Sequence, residues 1–147
     1  PSLYDVFGIE ESCGLSEYLS GEVNQLSEVL LNTTIPKLTI LPAGKKHHLT
    51  SELLSSEVME NLFSELSQRY SDRIVIIDSP PILSTNEASI LSRRVGQIVF
   101  VVEQNKTPQS EVKEALKQFD EKSIIGVVMN KSRASNSSSF YGYYYYS

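Results

Sequence analysis

Arg73-Ile74-Val75-Ile76-Ile77-Asp78-Ser79-Pro80-Pro81 joins an apolar, β-branched run to a carboxylate and a double-proline turn. Consecutive Val and Ile residues without polar alternation predict a strand covered on both faces, as in a parallel sheet between helices. In an open sheet of that kind, ligands bind just beyond the carboxyl ends of the strands. Asp78 is expected there, at the end of a strand too apolar to be exposed. A carboxylate so placed can hold a metal-bound water beside a triphosphate. Pro80 and Pro81 stiffen the turn that follows. The competing reading of Asp78 is a residue that caps a loop after a buried strand.

Working outward, two further runs share this character, at residues 97–102 and 124–129, and a fourth candidate at residues 37–41 leads into Pro42-Ala43-Gly44. Helical patterns lie between them. Over residues 56–70, Val58, Met59, Leu62, Phe63, Leu66 and Tyr70 form one stripe at helical spacing. A shorter helix is predicted over residues 86–94. Another is predicted to begin with Thr107 as N-cap and Pro108 at its first position, presenting Val112, Ala115, Leu116 and Phe119 on one face. Strand, helix, strand, helix, strand in that order predicts an α/β fold, with a mostly parallel sheet, right-handed crossovers and helices on both faces. Nearer the start, residues 14–19 read as a short helix that Gly21 ends.

The 147 residues suffice for one α/β domain. A formal charge of -5 argues against an electrostatic nucleic-acid binder. Cys13 is the single cysteine, so no intramolecular disulfide is possible, and neither neighbour can activate its thiol. No apolar run approaches the ~20 residues of a membrane span, and the first residues lack the pattern of a signal peptide. His47-His48 has no third ligand at metal-binding spacing, and Lys45-Lys46-His47-His48 reads as a solvated loop. Asn130 closes the run at 124–129; its amide offers both donor and acceptor to a purine edge, or it is simply a satisfied loop residue.

Residues 132–147 depart from all of this. They hold six serines and five of the eight tyrosines, Tyr141, Tyr143, Tyr144, Tyr145 and Tyr146, with no periodicity that could build a core. The division expected is therefore a folded portion, residues 1–131, and a mobile Ser/Tyr-rich tail, residues 132–147. Exposed tyrosine hydroxyls suit phosphoryl transfer, each phosphate adding about -1.5 to -2 charges. A sticky aromatic tail or a carbohydrate-stacking patch is the alternative.

Taken together, these pieces resemble the bacterial tyrosine autokinases associated with polysaccharide co-polymerases. Pro1 to Gly8 is similar to the segment after that family's second acidic motif. Gly14-Leu15-Ser16-Glu17-Tyr18-Leu19-Ser20-Gly21 resembles its Gly-Leu-Ser stretch, and residues 38–44 its Leu-Pro-x-Gly strand end. Ser51-Glu52-Leu53-Leu54-Ser55-Ser56 resembles a helix start, and Asp78-Ser79-Pro80-Pro81 its Walker B motif. The tyrosine-rich end distinguishes the pattern from partition ATPases of the ParA/MinD kind. The resemblance implies a P-loop NTPase fold, incomplete on its N-terminal side, in an enzyme that uses ATP and magnesium to phosphorylate its own tail. Asp78 would hold the metal through water, and Asn130 and Pro81 would lie against the nucleotide. Tyr141, Tyr143, Tyr144, Tyr145 and Tyr146 would be acceptors. Implied partners are neighbouring kinase subunits, a membrane-anchored co-polymerase region and a cognate tyrosine phosphatase. The implied location is the cytoplasmic face of the inner membrane.

One departure stands out. No Gly-x-x-x-x-Gly-Lys-Ser/Thr occurs in the 147 residues; Gly8 and Gly14 are wrongly spaced. That loop carries much of the electrostatic stabilisation in such chemistry, so the expectation is a chain inactive by itself and binding no nucleotide. The start at Pro1 favours a piece of a longer kinase over a second polypeptide bearing the loop. Loss of the neighbouring phosphate-loop strand would bare an edge of residues 73–77, leading to altered pairing, swapping or dimerisation. A ParA/MinD-like ATPase and a non-enzymatic interaction module with an aromatic tail are the competing functions.

Overall fold

The structure, a computed structural model, describes residues 3–8, 12–69 and 72–132. The chain divides into two units, Pro1–Val95 and Gly96–Ser147. The first holds α1 (Leu3–Phe7), α2 (Leu15–Ser20), α3 (Leu26–Val29), β1 (Leu31–Asn32), β2 (Thr39–Ile40), α4 (Thr50–Leu54), α5 (Glu57–Arg69) and α6 (Glu87–Ser92). The second holds β3 (Ile98–Glu103), α7 (Gln109–Leu116) and β4 (Ile125–Asn130).

Helix packing builds the first unit. Leu19 of α2, Leu26 and Val29 of α3, Leu54 of α4, Met59 and Leu62 of α5 and Leu91 of α6 form one buried cluster. Removing these side chains from water drives the packing, since each of these helices is too short to be stable alone. The stripe predicted on α5 is the face it buries, with Phe63 and Leu66 half-buried beside Met59 and Leu62. Val58 is the exception, 40% exposed, because at 100° per residue it falls at the stripe's margin. Tyr70 lies outside the described residues.

Glycine bounds α2 at both ends. Gly21 takes φ 81 and returns its N–H to the Tyr18 carbonyl at 3.2 Å, ending the helix in the left-handed region as the sequence predicts. A Cβ there would meet nothing within 4 Å, so only the backbone conformation is at stake. Gly21→Ala is expected to lower the stability of this unit by about 1 kcal/mol, read as a shift in urea midpoint without change in slope.

The strand predicted at residues 37–41 exists, but β2 pairs antiparallel with β1, Leu31 opposite Ile40 and Asn32 opposite Thr39. The intervening turn is tight, with Leu38 N–H on the Ile35 carbonyl at 3.2 Å and Lys37 at φ 66. A connection that short joins only antiparallel neighbours.

Residues 73–77 depart further from expectation: they belong to no helix or strand. Ile74 is 90% exposed and Ile76 88%. An apolar run becomes a buried strand only where a ladder partner and covering helices exist, and no described strand runs beside this one. Ile77 alone turns inward and packs against the core cluster.

The parallel arrangement is realised in the second unit. β3 and β4 pair in register from Ile98–Ile125 to Glu103–Asn130, with α7 as the crossover between them. Phe100 meets Phe119 edge-on at 6.0 Å, and Val102 and Ala115 are buried. Val99 and Val101, pointing to the opposite face by strand alternation, are 69% and 56% exposed. The N-cap of α7 is Pro108, one residue later than predicted. Thr107 instead turns its Oγ1 back to accept the Glu103 N–H at 3.3 Å, so its capping capacity is already used.

Candidate functional site

Asp78 follows the one residue of its run that is anchored. Ile77 is held in the core and Asp78 stands exposed beside it. The following turn is fixed by the Ser84 N–H on the Pro81 carbonyl at 2.9 Å, while the Ser79 hydroxyl reaches the Pro80 carbonyl at 3.4 Å. Among the described residues no cation or hydrogen-bond donor pairs with the Asp78 carboxylate. The expectation of a covered strand leading into it is corrected: the carboxylate is reached from solvent, not enclosed.

Asn130 ends β4 in the other unit. Its side-chain Oδ1 accepts the Lys131 N–H at 2.8 Å, and its carbonyl accepts the Gln104 N–H at 3.0 Å. Among the described residues its amide N–H groups meet no acceptor, and their chemistry suits one such as a ring nitrogen. Around it lies a charged network that sequence reasoning missed. Glu103, opposite Asn130 in register, takes the Lys131 ammonium at 2.9 Å and that of Lys106 at 3.3 Å. The Lys131 bond holds the Glu103 carboxyl below its ordinary range, against a smaller opposing effect of burial and with help from Lys106. Lys131 itself sits at φ 55, so the chain bends sharply where this network forms. Asp78 and Pro81 thus share one turn of the first unit, and Asn130 belongs to the rim of the second.

A buried carboxylate was also missed. Glu17, only 3% exposed, accepts the Gly14 N–H at 2.7 Å and the Lys45 N–H at 3.0 Å. Leu15 and Ser16 donate to the Pro42 and Ala43 carbonyls at 2.8 and 3.0 Å. The Gly-Leu-Ser stretch and the Leu-Pro-x-Gly stretch are therefore two halves of one joint. Burial raises the Glu17 pKa, but the N–H groups of Lys45, Gly14 and Glu17 itself, with the Lys45 charge, outweigh it and hold the carboxyl below its ordinary value. A glutamate three residues after a helix-capping position was the available signal.

Tyr141, Tyr143, Tyr144, Tyr145 and Tyr146 lie outside the described residues. His47 and His48 stack at 4.6 Å, and His47 Nδ1 accepts the Leu49 N–H at 3.1 Å. Among the described residues no three His, Cys, Asp or Glu side chains gather as a metal site, and no helix is long and apolar enough to cross a membrane.

No family model matches the chain. Individual proteins do. Tyrosine-protein kinase Wzc of Salmonella typhi is 33% identical over 97% of this chain, and tyrosine-protein kinase YwqD of Bacillus subtilis 31% over 98%. Tyrosine-protein kinase Ptk of Acinetobacter johnsonii is 31% identical over 91%. The chain spans 20%, 60% and 18% of those proteins respectively. Among solved structures, the chimerical protein CapA2B2 superposes at TM-score 0.81 with 28% identity, and the VpsO kinase domain at 0.79 with 29%. These matches cover 91% and 90% of this chain, and 59% and 66% of those chains. The fold is thus that of part of an α/β kinase domain. By sequence and fold, the chain is similar to the bacterial tyrosine kinases over nine-tenths or more of its length.

Each unit, taken by itself, offers a group whose chemistry suits one part of a magnesium nucleotide. An exposed carboxylate such as Asp78, without a partner among the described residues, can accept a hydrated cation, and the Asn130 amide can meet a base. A glycine-rich phosphate cradle is not among the 147 residues.

Proposed function

We propose that this chain is part of an ATP-dependent protein-tyrosine kinase that phosphorylates tyrosines in residues 141–146. The carrying observation is the likeness to tyrosine-protein kinases over nine-tenths or more of the chain, with Asp78 exposed and without a partner among the described residues. Asp78 holds magnesium through water, Asn130 and Pro81 lie against the nucleotide, and Tyr141, Tyr143, Tyr144, Tyr145 and Tyr146 receive phosphate. The wider role follows the resemblance read from the sequence motifs. The kinase governs exopolysaccharide or capsule synthesis at the inner face of the membrane, with neighbouring subunits, a co-polymerase region and a phosphatase as partners. Without a phosphate cradle, the 147-residue chain alone turns over no measurable ATP.

Incubating the chain with an intact tyrosine kinase of this family and ATP, then mapping phosphate by mass spectrometry, tests the acceptor role. Phosphate is expected on the tyrosines of residues 141–146. Label on serines alone, or none there, sinks it.

A further inference from the structure

Between the C-terminal end of α4, the first turn of α5 and the end of α6 lies a cavity of about 260 Å³, lined by Ser55, Glu60, Ile90, Arg93 and Arg94. It falls entirely within the first unit, and none of the residues assigned above to the nucleotide belongs to it. Arg94 Nη2 holds Glu60 Oε1 at 2.9 Å, its side chain 23% exposed against 58% for Glu60. Arg93 is exposed and has no carboxylate partner among the described residues. Two guanidinium groups against one carboxylate leave the cavity net positive, in a chain whose formal charge is -5.

Size and chemistry narrow the occupant. The volume lies below the ~300 Å³ at which small-molecule sites begin, so a whole nucleotide is excluded and a single side chain fits. Guanidinium pairs recognise phosphate through parallel N–H···O bonds, a geometry no lysine reproduces. Ile90 supplies an apolar wall against which a ring can lie. We propose that this cavity binds an aryl phosphate, the side chain of phosphotyrosine, presented by the phosphorylated segment 140–147 of another copy. The identity of that segment rests on the proposed function; the binding chemistry does not. Glu60 then acts as an internal competitor: Arg94 leaves it when a phosphate dianion, the stronger acceptor, arrives.

The test uses the 147-residue chain at about 0.15 M salt, where long-range repulsion is screened. A fluorescently labelled synthetic peptide with the sequence of residues 140–147, phosphorylated on tyrosine, is followed by anisotropy. Binding is expected for the phosphopeptide and not for its unphosphorylated form. Arg93→Gln and Arg94→Lys should each weaken it roughly tenfold, whereas Glu60→Gln should tighten it several-fold by freeing Arg94. That gain is one a structural role for the ion pair would not produce. Arg93 is exposed, so its variant folds even if the Arg94 variant does not. Free phosphotyrosine should displace the peptide at concentrations where inorganic phosphate fails. Equal competition by inorganic phosphate, indifference to both Arg93→Gln and Glu60→Gln, or equal binding of the unphosphorylated peptide overturns the assignment. Because the phosphate is placed synthetically, absence of tail phosphorylation in the kinase assay leaves this result intact.

Discussion

Glutamine in place of Glu17 is expected to lower the stability of the first unit by roughly 3 kcal/mol near neutral pH. The ionised carboxylate accepts from two backbone N–H groups, those of Gly14 and Lys45, in a site closed to water. A neutral amide keeps one acceptor oxygen and brings two donors that the site has no means to satisfy. The same residue gives the loss a pH signature. Its folded-state pKa lies below the unfolded value of about 4.3, so its contribution is complete above that value and disappears as pH falls through the folded pKa. Urea midpoints of wild type and Glu17→Gln should therefore differ most at neutral pH and converge in acid. A gap that persists unchanged to pH 2 would show that the carboxylate charge is not what holds the joint.

Alanine at Gly14 should cost as much, about 3 kcal/mol, for a steric reason. The added Cβ would run into the Pro42 carbonyl oxygen and come within 2.5 Å of the Gly44 nitrogen. Both obstacles are backbone, so neither can swing aside, and opening the gap breaks the Leu15–Pro42 hydrogen bond. Because both substitutions act on one joint, the double variant should lose distinctly less than the sum of the two. Strict additivity, measured by circular dichroism in urea, would separate Gly14 from Glu17.

Local pattern carried the helices well. The α5 stripe, the glycine stop after α2, and the β3–α7–β4 order were legible because spacing and chain reversal are properties of a few neighbouring residues. Thr107 was misplaced by one residue because its hydroxyl had a second use, on the Glu103 N–H, that no local rule reveals. Residues 73–77 show the opposite limit. Their composition announces a strand, yet a ladder is a relation between segments, and its partner is not written in the run itself. Asp78 was singled out from the chemistry of its motif, which gave no sign of its openness to solvent. Glu17 and Glu103 went unnoticed because each acts on a group 28 residues away, Lys45 and Lys131, and linear spacing says nothing about such reach.

The bared isoleucines at positions 74 and 76 have a consequence for the molecule in bulk. Greasy surface of that kind draws proteins together when charge no longer keeps them apart. Dispersal of this chain in water therefore leans on its surplus of acidic groups. Mild acidification, which erases that surplus, brings on clouding and precipitation before the helices of the first unit come apart.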